Sequence, residues 1–591
     1  MLAGLDPAGV GRDPVFSHDG QMHFTLFPLL LTGAIRWLGL SHGAEAVAFA
    51  AVLAWFAAIS VLALTLAEGR ARWIIMSFIV LAPSSYANGF HFGEALALPR
   101  PFAEALVILG CSAILRRNFW LAGALMLGAA LLHPIMALPG IGILFLGLVE
   151  RNRRWLWAVP GSLLALGMAA GLHMPLMQRV LVTMDVHWWA IEQKCSPQIF
   201  PLLWRPYAYA QVLTQTATLI VAIWSLERRL RSLFLHVLIV ALSGLGIAAL
   251  CGDLIRNELV VQAQLWRALW IAAALAPAAL GLMVAAAKDR PPQAWIVPAL
   301  LATAWTPTSG LAKLCLCLCA LLLCAIPEGK LAKIPERYAK WAFRLLILFG
   351  ATNLLSNDIR LIATHHLALG RWHIIAMKLN MVGWFLALAL FFILTGPGLR
   401  KFRSVGLVVA VSFAVVSLGA WDSRSAFRKQ VDLGRPVAPF MAVIAKKPGS
   451  VYWVGGKNEA WFLLRRANWS SGVLSWPSVF SRRQAVQWQN RAERVVKSGF
   501  EPAGILAPLD KPLRLVPRLP LTSASIAAFC AAADAPPWVV WQMAPSSAML
   551  AAGVKPRATW QLQPDITYAL MACHAGTAEA RPPHSAARLR P

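Results

Sequence analysis

The chain runs to 591 residues, 58% of them hydrophobic and only 14% charged, with a formal net charge of +28. A soluble protein has to cover its surface with polar groups, so this composition excludes an ordinary soluble domain and demands lipid as a solvent. The positive charge does not make a nucleic-acid surface, because within the apolar region it falls in short clusters between apolar runs, where it reads as a topology code.

Residues 1–43 are read as an outer loop and an interfacial helix. The first 23 residues contain Asp6, Asp13 and Asp19 and lack the basic start and apolar core of a signal peptide. Phe24 to Leu40, with Pro28, Arg36 and Trp37, is expected to lie along the outer interface as an amphipathic helix, with a first span missing upstream of Met1 or the start misassigned. A crossing helix is the alternative.

From residue 44 to 420 a transmembrane helical bundle is expected. Its inner-face clusters are Arg70 and Arg72; Arg116 and Arg117; Arg151, Arg153 and Arg154; Arg228, Arg229 and Arg231; Lys288 and Arg290; Lys330, Lys333, Arg337 and Lys340; and Arg400, Lys401 and Arg403. Placing all of them in the cytoplasm predicts fourteen spans, near 44–66, 73–89, 100–116, 119–132, 135–149, 155–172, 208–226, 233–250, 268–287, 294–309, 312–326, 341–357, 379–396 and 405–420. His133-Pro134 splits two short runs into a hairpin, since proline lacks the amide that would continue a helix; one longer kinked helix is the competitor. Cys315, Cys317 and Cys319 alternate at a spacing that turns them to different sides of a helix, which argues for packing and against a metal site.

Beyond the bundle, residues 421–575 read as a small α/β domain and 576–591 as a disordered basic tail. Strands are predicted at Val451 to Val454, Trp538 to Trp541, Thr559 to Leu562 and Thr567 to Met571, and a helix at Arg482 to Lys497. Trp453 and Trp538 suit its core, and Asn468-Trp469-Ser470 matches a glycosylation acceptor pattern. Cys530 and Cys573 can form a disulfide if this domain lies outside the cytoplasm.

Candidate chemistry collects on the outer side, where charge in or near hydrocarbon must be used or paired. Four groups stand out: Asp13, His18, Asp19 and His23; His91, Glu94, Arg100 and Glu104; Asp185, His187, Trp188, Trp189 and Glu192; and Asp253, Arg256, Glu258, Gln264 and Arg267. The arginines also fit snorkelling to lipid phosphates, His133 fits capping of backbone carbonyls freed at Pro134, and Trp188 and Trp189 fit an aromatic belt. Gln264 and Arg267, three apart, would share one helix face.

The acidic segment Asp13 to Leu40 leading into Phe24-Thr25-Leu26-Phe27-Pro28, the string Arg100-Pro101-Phe102-Ala103-Glu104 and Leu131-Leu132-His133-Pro134 resemble the bacterial GT-C membrane glycosyltransferases over the first third of the chain. The resemblance implies an all-α bundle that takes a sugar from a polyprenyl-phosphate carrier to a glycan or lipid acceptor on the outer face of the inner membrane. It also implies an outer soluble domain, while the clustering of the charge argues for no nucleic-acid partner. By the same resemblance, Asp13 or Asp19 would be the general base or hold a divalent metal, and Glu94 would be the second acidic group. The chemistry asks for cations at the leaving phosphate, and Arg100, Arg256 and Arg267 suit it, with Gln264 and His133 beside them. A transporter or flippase of a lipid-linked saccharide and a surface-polysaccharide polymerase or ligase are the alternatives.

Overall fold

The computed structural model describes residues 6–18, 24–83, 85–174, 176–331, 333–364, 425–447, 449–506, 523–543, 556–563 and 566–573. These residues are mostly helical, with a small sheet near the C-terminal end. The chain divides into two compact units: one built from 21–184 and 198–423, the other from 1–20, 185–197 and 424–591. The second draws in two segments that sequence reading assigns to the loops of the bundle.

In the larger unit a helix occurs at every predicted span from 44–66 to 341–357, and the last two predicted spans lie outside the described residues. The expectation of fourteen crossings is coarser in the structure. Four described helical stretches are long and apolar enough to cross a membrane: Leu40–Leu66, Pro134–Arg151, Arg228–Leu254 and Glu258–Ala287. Others are shorter than their apolar runs. Ala71–Leu81 stops at Ala82-Pro83, and β1 (Ser85–Tyr86), within the predicted span, pairs antiparallel with β2 (Phe90–His91) just beyond it. Ile296–Trp305 covers only the middle of its predicted span.

Local chemistry sets the boundaries. Pro99, Pro134 and Pro206 each open a helix, where the missing amide costs nothing. The helix Phe27–Leu38 ends at Gly39, whose φ of 80° turns the chain into Leu40–Leu66. At His133 the backbone is extended, and Phe119–Leu132 and Pro134–Arg151 pack against each other as separate helices. His133 caps in the opposite sense to that expected: its Nδ1 accepts from the Met136 amide at 3.3 Å, serving the start of the second helix instead of freed carbonyls.

Leu269–Ala287 is buried along nearly its whole length and forms the core of this unit. Gly281 allows its closest approach, since a Cβ there would lie 2.7 Å from the Ile75 Cα. Two cations satisfy carbonyls that helix ends leave open. Arg229 donates to Leu115 O from Nε and Nη2 at 2.9 and 2.6 Å, and buried Lys313 donates to Ala304 O and Thr306 O at 2.5 and 2.9 Å.

The smaller unit centres on a four-stranded sheet of β3 (Val451–Trp453), β4 (Trp538–Met543), β5 (Ala558–Gln563) and β6 (Ile566–Ala572), in the order β3-β4-β6-β5. β3 and β4 are parallel and the other pairs antiparallel. Alternation along the strands fills both faces: Val451, Trp453, Val540 and Leu570 on one, Tyr452, Val539, Trp541 and Met571 on the other. Arg482–Lys497 buries Ala485, Trp488, Ala492 and Val495 at helical spacing, behind a Ser481 cap. Asn468 is buried and donates to Lys457 O, which removes the acceptor pattern from the surface.

Cys530 and Cys573 are joined as a disulfide, with Cα atoms 5.0 Å apart across 43 residues of sequence. Closing a loop of this size restricts the unfolded chain and stabilises the folded one by roughly 2–4 kcal/mol. Alkylation of the full chain without reductant is expected to leave these two cysteines unlabelled. Replacing both by Ser should make the C-terminal segment unfold at lower denaturant; labelling of both in the unreduced protein would contradict the pairing.

Candidate functional site

The larger unit gathers a compact set of charged and aromatic side chains around the β1–β2 turn. Arg100, at the start of Pro99–Leu115, pairs with Glu94 at 2.7 Å. One turn further along the same helix, Glu104 is buried and accepts the Gly93 amide at 2.7 Å. Gly93 has φ of 63° and sits against the Trp55 ring, so the turn that presents this amide needs a residue without a side chain.

Arg267 approaches from a different part of the sequence. Its guanidinium lies over the rings of Phe90 and Trp266, with centroids at 4.7 and 5.3 Å, and its Nε donates to Gln264 Oε1 at 2.7 Å. Gln264 does not continue a helix as expected. It takes a left-handed conformation with φ of 47°, breaking Glu258–Ala263 from the short turn Leu265–Ala268, and the break lets its side chain reach Arg267. The fully buried phenol of Tyr86 is in electrostatic reach of Arg267, Glu104, Arg100 and Glu94, and His133 of Arg267 and Arg100. Two guanidiniums, two carboxyls, a phenol, an imidazole and an indole wall therefore meet in one place.

Of the residues singled out in the sequence, Glu94, Arg100, Gln264, Arg267 and His133 belong to this cluster. Arg256 does not: its carbonyl accepts from Met184, its φ is 60°, and its side chain has no partner in the cluster. Asp19 lies outside the described residues. Sequence reading grouped Glu104 with Glu94 but gave it no role, and it passed over Tyr86, Phe90 and Trp266. The signal available for Glu104 was its place four residues after Arg100 on an otherwise apolar helix.

Asp13 belongs to the smaller unit, where its environment is that of a structural carboxylate. It is fully buried and accepts from Trp461 Nε1 at 2.6 Å, Asn468 N at 2.7 Å and Val15 N at 3.0 Å. Burial raises its pKa, opposed by the Trp461 hydrogen bond, the two amides and the charge of Arg491. With its lone pairs so committed, Asp13 is poorly placed to deprotonate an acceptor. Trp188 and Trp189 are likewise buried in this unit and form no aromatic belt; Trp188 Nε1 donates to Ser478 O at 3.2 Å. Asp185 caps Val186–Cys195 and pairs with Arg482 at 2.6 Å, which holds its pKa below the ordinary range.

Glu192, singled out in the sequence with Asp185, is also part of this unit. Its carboxyl is fully buried beside Trp188 and Ser478, whose hydrogen bonds oppose but do not cancel the effect of burial. Burial pushes its pKa up to about 8. No group of three His, Cys, Asp or Glu side chains disposed to hold a metal occurs among the described residues. In the charge cluster Glu94 is already matched by Arg100, so the donor set does not fit a divalent ion.

No protein-family model, curated protein or solved structure matches the chain.

Gly93→Ala should lower the thermal stability of the full chain in detergent by about 1–2 kcal/mol, from the left-handed backbone alone. An unchanged melting curve would contradict the tight turn. For Glu192 the folded pKa lies above the unfolded one, so its protonated form stabilises the smaller unit at low pH. That contribution is lost as pH rises from the ordinary glutamate range, about 4.3, through about 8, and Asp13 acts in the same direction from a lower starting pH. Proteolysis-coupled unfolding of the C-terminal segment is expected to show the decline, and Glu192→Gln to flatten it; an identical slope in that variant would sink the assignment.

Proposed function

We propose that the chain is an integral membrane glycosyltransferase that passes a sugar from a polyprenyl-phosphate carrier to an acceptor on the outer face of a bacterial inner membrane. The observation that carries this reading is the cluster of Glu94, Arg100, Glu104 and Arg267 against Phe90 and Trp266 in an apolar helical unit. The GT-C resemblance of the Asp13–Leu40, Arg100–Glu104 and Leu131–Pro134 segments is consistent with it. The Cys530–Cys573 disulfide supports an oxidising compartment for the smaller unit.

In the proposed reaction the acceptor oxygen bonds to the anomeric carbon and the bond from that carbon to the phosphate oxygen breaks, the phosphate leaving with the electron pair. Glu94 takes the acceptor proton. Arg100 and Arg267 meet the charge that grows on the leaving phosphate, a task suited to planar guanidiniums that remain charged. The indole and phenyl rings of Trp266 and Phe90 offer apolar faces to a sugar ring, and Arg267 is already held against both. Glu104 acts through position: its bond to the Gly93 amide fixes the turn that carries Glu94.

A transporter of a lipid-linked saccharide is the second reading, and one feature favours it. The apolar stretch Glu258–Ala287 is broken at Gln264, three residues before Arg267, and Ala248–Leu254 is wound as a π-helix. Transporters use such discontinuities near charged substrates.

Membranes carrying the full chain, supplied with a panel of polyprenyl-phosphate sugars labelled in the sugar, are expected to form labelled acceptor and free polyprenyl phosphate. Glu94→Gln should slow transfer by about 10²–10⁴-fold, the usual worth of a positioned general base, without loss of membrane insertion. Full activity in that variant, or no cleavage of any donor, would remove the reading. Sugar accumulation in proteoliposomes without cleavage would favour the transporter.

A further inference from the structure

We propose that the smaller unit binds an anionic saccharide, a sugar bearing a phosphate or carboxylate, in the cavity lined by Arg12, Arg466 and Arg491. The cavity measures about 500 Å³, within the range of roughly 300–1,000 Å³ typical of small-ligand sites. The three guanidiniums come from three separate stretches: the turn Val10–Arg12, the loop after Glu459–Leu463, and the helix Arg482–Lys497. Convergence from three segments marks a built feature more than a solvated basic run. None of the three forms an ion pair with a carboxylate among the described residues.

Among the described residues, the only acidic side chain in the lining is Asp6, whose carboxylate is turned to the amides of Gly9 and Val10 at 2.9 and 3.4 Å. The cavity therefore carries an excess of positive charge. Arg491 is also held in place: Nη1 donates to Trp469 O at 2.8 Å, and the guanidinium lies 5.2 Å from the Trp469 ring centroid. A cation fixed before binding loses little freedom on meeting an oxyanion, and a planar fork suits two oxygens of phosphate or carboxylate.

The rest of the lining selects for hydroxyls. Asn468 and Gln487 bring side-chain amides to the lining. Ser17 and Ser450 add hydroxyls, groups that can donate to and accept from the O–H groups of a sugar. Among the described residues no aromatic side chain lines the cavity, so they offer a base nothing to stack on, and a sugar phosphate or uronate fits better than a nucleotide. This site stands apart from the transfer reading, and failure of either leaves the other intact.

Binding to the full chain in lipid-free detergent is measured by calorimetry with glucose 1-phosphate, glucuronate and neutral glucose. A parallel arm uses nanodiscs of phosphatidylcholine with and without undecaprenyl phosphate to present the same anion on a lipid. Saturable binding of either soluble anion but not of glucose, weakened at least tenfold by Arg12→Glu and by Arg466→Gln, would support a free saccharide. Arg12 is exposed, so the first variant does not threaten the fold. Uptake only from undecaprenyl-phosphate nanodiscs, with the same dependence on both variants, would support the anion chemistry with the lipid as its source. No saturable binding in either arm, or binding unaffected by Arg12→Glu and Arg466→Gln, would overturn the site.

Discussion

The Glu104 carboxyl, set in an apolar helix and held by one backbone amide, is the constraint around which the larger unit's polar residues are arranged. A carboxyl without partners in such surroundings would cost several kcal/mol. The Gly93 amide meets it, and that amide is available only because glycine takes the left-handed turn beside Trp55. The same turn sets Glu94 against Arg100, and Phe90 just before it carries the ring on which Arg267 rests. Arg100 meets Glu94, Glu104 meets the Gly93 amide and Arg267 meets the Phe90 ring, so each of these charges is matched from outside its own helix.

Much of the fold was legible because its signals are local. Proline at a helix start, glycine at a helix end and short β-branched and aromatic runs in β3, β4 and β6 need no tertiary knowledge, and Arg482–Lys497 is found at its expected limits. Span lengths were less legible. An apolar run shows what tolerates lipid, but not where Ala82-Pro83 ends a helix and a strand pair begins.

The site was readable in its parts and not in its assembly. Glu94, Arg100, Gln264, Arg267 and His133 announce themselves as polar groups beside apolar runs. Asp13 announces itself in the same way, yet three donors from its own unit, two of them more than 400 positions away, make it structural. Nothing in the neighbourhood of Asp13 distinguishes these fates, since the difference lies in Trp461 and Asn468. Glu192 was visible as a member of an outer-side group, but its full burial was not, because that depends on distant residues such as Ser478.

Drawing the smaller unit from residues 1–20, 185–197 and 424–591 also imposes a rule of parity. Segments that fold together occupy one aqueous compartment, so the chain must cross a bilayer an even number of times between each pair of them. Six predicted spans lie between residues 44 and 172 and eight between 208 and 420. Merging the His133-Pro134 hairpin into one helix, or sending Phe24 to Leu40 across the membrane, would each make the first number odd and strand Asp13 on the opposite side from Val186–Cys195. A carboxylate with three buried donors thus disfavours two threadings of the chain that hydropathy alone leaves open.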